Sequence, residues 1–167
     1  LAALAKAGAR VGASVDDEIQ VERLAAAARA AGVVLDCVID IDPGTHRTGC
    51  HPSRAVELAR MAADAEGLNY AGIQSYAGHL QHIADVGGRR AGDDAVQAMV
   101  AGVVRDLTAA NLAPAVVTGG GTGTHSYDLR GGVFTELQAG SYAFMDVEYE
   151  DCGAPDGGWP FEQSLFI

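Results

Sequence analysis

Strand-like and helix-like stretches alternate along this chain, and that alternation limits the fold more than any other feature. Residues 33–41, VVLDCVIDI, form a nearly continuous apolar run of the type buried on both faces of a sheet. Before it, residues 9–13 read as a short strand. Ser14 fits as an N-cap, with Asp16, Asp17 and Glu18 in first-turn positions that favour acidic side chains. An Ala-rich helix then runs to about Ala31, and Gly32 ends it. After a Pro-Gly loop, Pro52-Ser53 opens a helix that continues through Ala65 and closes at Gly67. Residues 70–76 are the next strand, followed by a polar loop to Gly92, a helix over 93–110 and a strand at 115–117. Two further strand-like pieces, 134–137 and 142–145, complete the pattern.

This rhythm requires parallel strands joined by crossover helices. Five strands in a row, each ending in polar or glycine residues, suit part of a (β/α)8 barrel of the TIM type, in which all those ends face one mouth. A doubly wound open sheet is the alternative. It gathers its ligands at one switch point, whereas here candidate site residues follow every strand. Residues 1–150 are expected to form the barrel part, and 151–167 a loop and strand leading away from it. Leu1-Ala2-Ala3-Leu4-Ala5-Lys6 reads as the tail of a helix, so the chain is expected to start mid-fold.

A chain of 167 residues can bury a real core, and 49 % hydrophobic against 20 % charged residues marks it as globular. The net charge of −11 argues against nucleic acid and anionic membrane as partners. No apolar run approaches membrane-spanning length. Cys37, Cys50 and Cys152 are widely separated and form no CxxC pair, which reads as reduced thiols in a cytoplasmic protein. No exposed apolar pattern decides between a monomer and a homodimer.

The strand ends carry the chemistry. Thr118-Gly119-Gly120-Gly121-Thr122-Gly123-Thr124 follows the apolar run 115–117. Consecutive glycines let backbone N–H groups close around an anion, and the threonine hydroxyls can donate to phosphate oxygens. A flexible glycine loop is the bland alternative. It is not a Walker loop, since no lysine follows, and no clear helix opens behind it as a dinucleotide fingerprint needs. Arg47, in a loop with glycines on both sides, is a fixed cation suited to an oxygen anion or a ring substituent, or an ordinary loop arginine. Gln74, Tyr76, His79, Gln81 and His82 follow the next strand. His79 and His82 have the spacing to share a metal on one helical turn, but no third ligand stands nearby, and they can equally bond a ligand or face water. Tyr76 suits either core packing or ring stacking. Gln138-Ala139-Gly140-Ser141 is a second tight glycine site whose backbone and hydroxyl can complete a phosphate shell.

The ordered motifs DPGTHRTG, GIQSYAGHLQH, VTGGGTGT and GVFTELQAGSYAFMD resemble the D-threonine aldolase family. That family groups with 3-hydroxy-D-aspartate aldolases and D-serine dehydratases among pyridoxal 5′-phosphate enzymes with an alanine-racemase-like N-terminal barrel. The resemblance runs from about Ala9 to Phe166 and is most specific over 132–146. It implies that Arg47 lies against the cofactor ring and its phenolic oxygen, and that Gln74 and Tyr76 line the ring pocket. Gly121, Thr122 and Gly123 would form the phosphate turn, completed by Gly140 and Ser141. Gln138 falls where alanine racemases direct an arginine at the pyridine nitrogen. Many relatives have a histidine where this chain has Ala77, and this chain has His79 just beyond, which leaves substrate preference open.

The resemblance also implies a lysine that holds the cofactor as a Schiff base, and a divalent metal whose ligands lie in a C-terminal β domain. Lys6 is the only lysine here, and none of the family's lysine motif surrounds it. The expectation is a piece of a longer lyase that cleaves β-hydroxy-D-amino acids to glycine and an aldehyde. This piece would supply cofactor-binding loops but no catalytic residue and no metal ligand, and would be inactive alone. Three alternatives stay open: D-serine dehydration with the same parts, a non-catalytic pyridoxal phosphate carrier, and a barrel that binds another phosphate ligand.

Overall fold

The computed structural model describes residues 1–155 and 158–164. Six α-helices and five strands follow in the order α1 (Ala2–Lys6), β1 (Gly12–Val15), α2 (Glu18–Ala31), β2 (Leu35–Asp40), α3 (Ala55–Asp64), β3 (Leu68–Ser75), α4 (Val86–Ala109), β4 (Val116–Gly119), α5 (His125–Gly131), β5 (Glu136–Leu137) and α6 (Val147–Asp151). The strands form one parallel sheet in the order β1-β2-β3-β4-β5, with no reversal. A doubly wound sheet needs a switch point, so the sequential order decides for the barrel type. Right-handed crossovers that always step the same way put their helices on one side. Accordingly α1, α2, α3, α4 and α5 neighbour one another in turn.

The core lies between these helices and one face of the sheet. Val15, Cys37, Ile39, Ile41, Ile73 and Val117 meet Val21, Leu58, Ala62, Val100 and Leu107 there, all buried. The other face carries Ser14, Asp36, Val38, Asp40, Gln74 and Thr118. Residues 33–41 were expected to be buried on both sides; instead Asp36 and Val38 are half-exposed beside buried Leu35, Cys37 and Ile39. Among the described residues no helix layer packs on that second face.

Several boundaries differ from the sequence reading, each for a local reason. Ser14 does not cap α2; it lies within β1, and Asp17 accepts the Ile19 N–H at 2.8 Å. Residues 52–54 form a 3-10 turn before α3. The loop expected up to Gly92 is helical from Val86, because Asp85 accepts the Gly88 N–H at 2.6 Å and holds the glycine-rich first turns. Opposite to expectation, α5 opens directly after the glycine run. Residues 142–145 are no strand. The Tyr142 N–H is spent on Thr122 Oγ1, and Ser141–Ala143 coils into a 3-10 turn. Of the strand expected in 151–167, residues 165–167 lie outside the described residues, and 158–164 run without regular structure while Trp159 and Phe161 pack on His125.

Candidate functional site

Parallel strands deliver their C-terminal ends to one rim. There β2 leads to Arg47, β3 to Tyr76, β4 to the glycine turn and β5 to Gln138. A bulge sets which side chains reach it. Cys37 pairs with Tyr70 but Val38 pairs with Gly72, so Ala71 is an extra residue. Strict alternation would place Gln74 on the same face as Leu68 and Tyr70, which pack against the core. With Ala71 inserted, Ile73 takes the core side and Gln74 turns to the rim's inner face.

On that face a polar network spans all five strands. Gln74 Oε1 accepts from Ser14 Oγ and from Gln138 Nε2, both at 3.2 Å, and Gln138 Nε2 also donates to Thr118 Oγ1 at 3.1 Å. Gln74 and Thr48 hydrogen-bond to Asp40. Burial raises the Asp40 carboxyl above its ordinary value, and neighbouring Asp16 adds to this. The two hydrogen bonds and the charge of Arg47 oppose it. Asp16 in turn accepts the Gly49 N–H at 2.8 Å, which fixes the Arg47 loop. The Arg47 guanidinium stands 5.8 Å over the Tyr76 ring.

The glycine turn is held from behind. Gln81 Oε1 accepts the Gly123 N–H at 2.8 Å, and Gln81 Nε2 donates to Thr124 Oγ1 at 3.2 Å. Thr124 Oγ1 also accepts the Gly121 N–H at 3.2 Å and donates to Asp128 Oδ2 at 2.7 Å. This corrects the sequence reading of the cradle. The N–H groups of Gly121 and Gly123 and the hydroxyl of Thr124 are consumed inside the protein, because a buried donor has to find an acceptor. None of these bonds uses the Thr122 N–H. Thr122 Oγ1 accepts the Tyr142 N–H at 3.2 Å, which leaves its own proton to give.

The second glycine site thereby meets the first. Ser141 is exposed and lines a cleft of about 400 Å³ with Phe144, Met145, Asp146, Val147 and Gln163. Tyr149 is buried, and that burial raises its hydroxyl above the ordinary value while Ser141 and Thr122 nearby oppose the rise. Its ring packs on His82, in the segment that follows β3. Arg47, Gln74, Tyr76, Gly121, Thr122, Gly123, Gly140 and Ser141 therefore share one rim. The two histidines diverge. His79 Nδ1 meets Thr45 Oγ1 at 3.1 Å, while His82 stacks on Tyr149 at 4.4 Å and stands 3.6 Å from Glu148. Among the described residues no three His, Cys, Asp or Glu gather to hold a metal. Lys6 is exposed at the end of α1, where the chain turns to enter β1, away from the rim.

Residues 1–147 match the family described as alanine racemase, N-terminal domain. The chain belongs to that family. Within it, the chain is 42 % identical over 174 residues to the 3-hydroxy-D-aspartate aldolase of Paracoccus denitrificans (strain Pd 1222), covering 100 % of this chain and 44 % of that protein. It is 36 % identical over 160 residues to the D-threonine aldolase of Arthrobacter sp, covering 95 % and 42 %. The solved D-threonine aldolase of Filomicrobium marinum superposes with a TM-score of 0.90 at 39 % identity, over 93 % of this chain and 42 % of that one. The chain thus spans under half the length of the curated relatives it matches, and the alanine-racemase-like barrel is present in part.

Asp128, Asp40 and Tyr149 escaped the sequence reading of the site, while Gln81 and Thr124 stood in quoted motifs without their supporting role behind the turn being legible. They act by contacts across 20 or more residues of sequence, or from behind the turn, and no spacing rule points to them.

Proposed function

We propose that this chain is the cofactor-holding part of a pyridoxal 5′-phosphate lyase. Its substrates are β-hydroxy-D-amino acids of the D-threonine or 3-hydroxy-D-aspartate type, cleaved to glycine and an aldehyde. The observation that carries this reading is the convergence of Arg47, Tyr76 and the glycine turn on one rim, at the C-terminal ends of β2, β3 and β4. Likeness to two aldolases of this kind supports the choice of reaction. When bound, pyridoxal phosphate supplies an electron sink for the pair released as a carbon–carbon bond breaks.

The residues present fit that cofactor. Thr122 has an N–H not used within the turn and a hydroxyl proton to offer a phosphate, and Ser141 stands beside it. Arg47 gives a fixed positive charge to the ring's phenolic oxygen, with Tyr76 beneath the guanidinium. Gln138 is neutral, and its Nε2 is already engaged by Gln74 and Thr118. Its carbonyl oxygen is left to accept a hydrogen bond, so it holds a proton on the pyridine nitrogen where a cation would repel one. Asp40 and Ser14 lock Gln74, which in turn orients Gln138. Among the described residues no cluster of His, Cys, Asp or Glu makes a metal site. The three free cysteines are buried, and we place the protein in the cytoplasm, where thiols stay reduced. No helix among the described residues is long and apolar enough to cross a membrane.

The direct test supplies the full-length protein with pyridoxal phosphate and D-threonine or 3-hydroxy-D-aspartate. Glycine and the matching aldehyde should form in equal amounts. A 2-oxo acid with ammonia would instead favour elimination, and no reaction with either substrate would sink the proposal. Arg47→Ala in the same protein should weaken retention of pyridoxal phosphate about tenfold to a hundredfold, the value of a charge-assisted contact of ~1.5–3 kcal/mol. Equal affinity in both proteins would remove Arg47 from the site.

A further inference from the structure

Two carboxyl groups are sealed between α4 and α5, directly behind the glycine turn. Asp128 is 1 % exposed and Asp93 2 %. Asp128 stands one hydrogen bond from the turn, since its Oδ2 accepts from Thr124, whose Oγ1 holds the Gly121 N–H. Its carboxylate also lies against the Gly120 backbone, where an added Cβ would fall well under 3.0 Å from Oδ2. Asp128 Oδ1 is buried without any fixed donor. What faces this carboxyl is the Asp93 side chain, and Asp93 Oδ2 itself accepts from Gln97 Nε2 at 2.6 Å.

Two carboxyl groups in contact and out of water cannot both be ionised. A proton between them supplies the donor that Asp128 lacks. The charged groups around the pair carry both signs. Asp94 of α4 is acidic and pushes the proton affinity of Asp93 higher, while Gln81, Gln97 and Thr124 are neutral. Arg89 of α4 is buried but donates to the Ile83 and Gly153 carbonyls and stacks on Trp159, and Arg130 of α5 lies over the Tyr127 ring. Burial, then the neighbouring Asp93 charge, push the Asp128 carboxyl up to about 7.

We propose that Asp128 is a positioning residue for the phosphate turn, and that the single proton it shares with Asp93 is coupled to anion binding at that turn. With the proton present, the pair carries one negative charge and Thr124 holds the turn in place. When the proton leaves, a second negative charge stands behind the turn and repels the phosphate dianion. By linkage, a bound dianion then draws the proton more tightly onto the pair. This rests on the reading that the turn takes a phosphate ester.

The test uses the full-length protein without cofactor and pyridoxine 5′-phosphate as probe, which has no aldehyde and so reports binding alone. Its affinity is measured from pH 6 to pH 9 for the parent, Asp128→Asn and Asp93→Asn. An asparagine at 128 keeps a permanent N–H toward Asp93 and an oxygen for Thr124. Each protein is referred to its own affinity at pH 6. The parent should then lose about tenfold in affinity relative to both by pH 9, the equivalent of one pKa unit of coupling. A second readout follows the sign of the linkage. The folded Asp128 holds its proton above the ordinary 3.8, so its contribution to stability is present below that value and is lost as pH rises to about 7. Asp128→Asn should lack that decline. Parallel affinity profiles in parent and variants would overturn the coupling. Failure of every protein to bind the probe at any pH would overturn the phosphate reading instead.

Discussion

Gly123→Ala should lower the affinity for pyridoxal phosphate a hundredfold or more while most of the fold stands. A Cβ at this position would fall well under 3.0 Å from the backbone carbonyl oxygen of Gln81 and at 2.9 Å from its Cα. Backbone cannot swing aside as the tip of a side chain can. The turn and the Gln81 segment must therefore separate, and the Gln81 Oε1 bond to the Gly123 N–H is strained or lost. Displacing a binding element by about 1 Å costs on the order of a hundredfold when the contacts are directional. The overpacking itself adds roughly 1–3 kcal/mol of destabilisation. Absorbance or fluorescence titration of the full-length protein checks the affinity. Gly140→Ala is the control for stability, since nothing lies within 4 Å of a Cβ there. If Gly123→Ala binds as tightly as the parent, the phosphate is held elsewhere.

The second large effect falls on the sheet. Gly72 has φ +151°, and a Cβ on it would meet the Val116 carbonyl oxygen far inside contact distance, with the Val116 backbone nitrogen at 2.9 Å. Gly72 and Val116 are paired residues of β3 and β4, so Gly72→Ala pushes these central strands apart where their pairing begins. Strand separation and backbone strain together put the cost at about 4 kcal/mol or more. In a chain of this size that lowers the melting temperature by roughly 10 °C or more. Thermal unfolding followed by circular dichroism measures it. A shift of only a degree or two would mean that β3 and β4 part easily, and that the bulge at Ala71 does not hold the rim in register.

The two substitutions act at opposite ends of one device. The bulge at Ala71 directs Gln74 inward, where it bonds Ser14, Asp40 and Gln138. Where β4 ends, the glycine turn rests on Gln81 and Thr124. The support behind the turn is buried, and the Gln74 network is part-buried to exposed. A rim held by such contacts is preorganised, which lowers the ordering cost of binding any ligand there.

The alternation of strands and helices, their parallel sense and the barrel type follow from residues 33–41, from the Ala-rich and Gly-ended stretches, and from polar residues after every strand. These depend on periodicity and local conformational preference, which a sequence carries directly. Arg47, Tyr76 and the glycine turn were legible for the same reason: each is a short motif at a strand end, and parallel strands share one rim. Only the tertiary structure decided the rest. The Ala71 bulge reverses the alternation that would otherwise turn Gln74 the wrong way. Asp85 carries α4 across glycines that favour a loop, and Tyr142 gives its N–H to Thr122 and forfeits a strand. Thr124 faces Asp128 and so leaves the cradle, and Asp93 meets Asp128 across two helices. Tyr142 and Thr122 are 20 residues apart and Asp93 and Asp128 lie on different helices, and which groups come within reach is settled only when the elements pack.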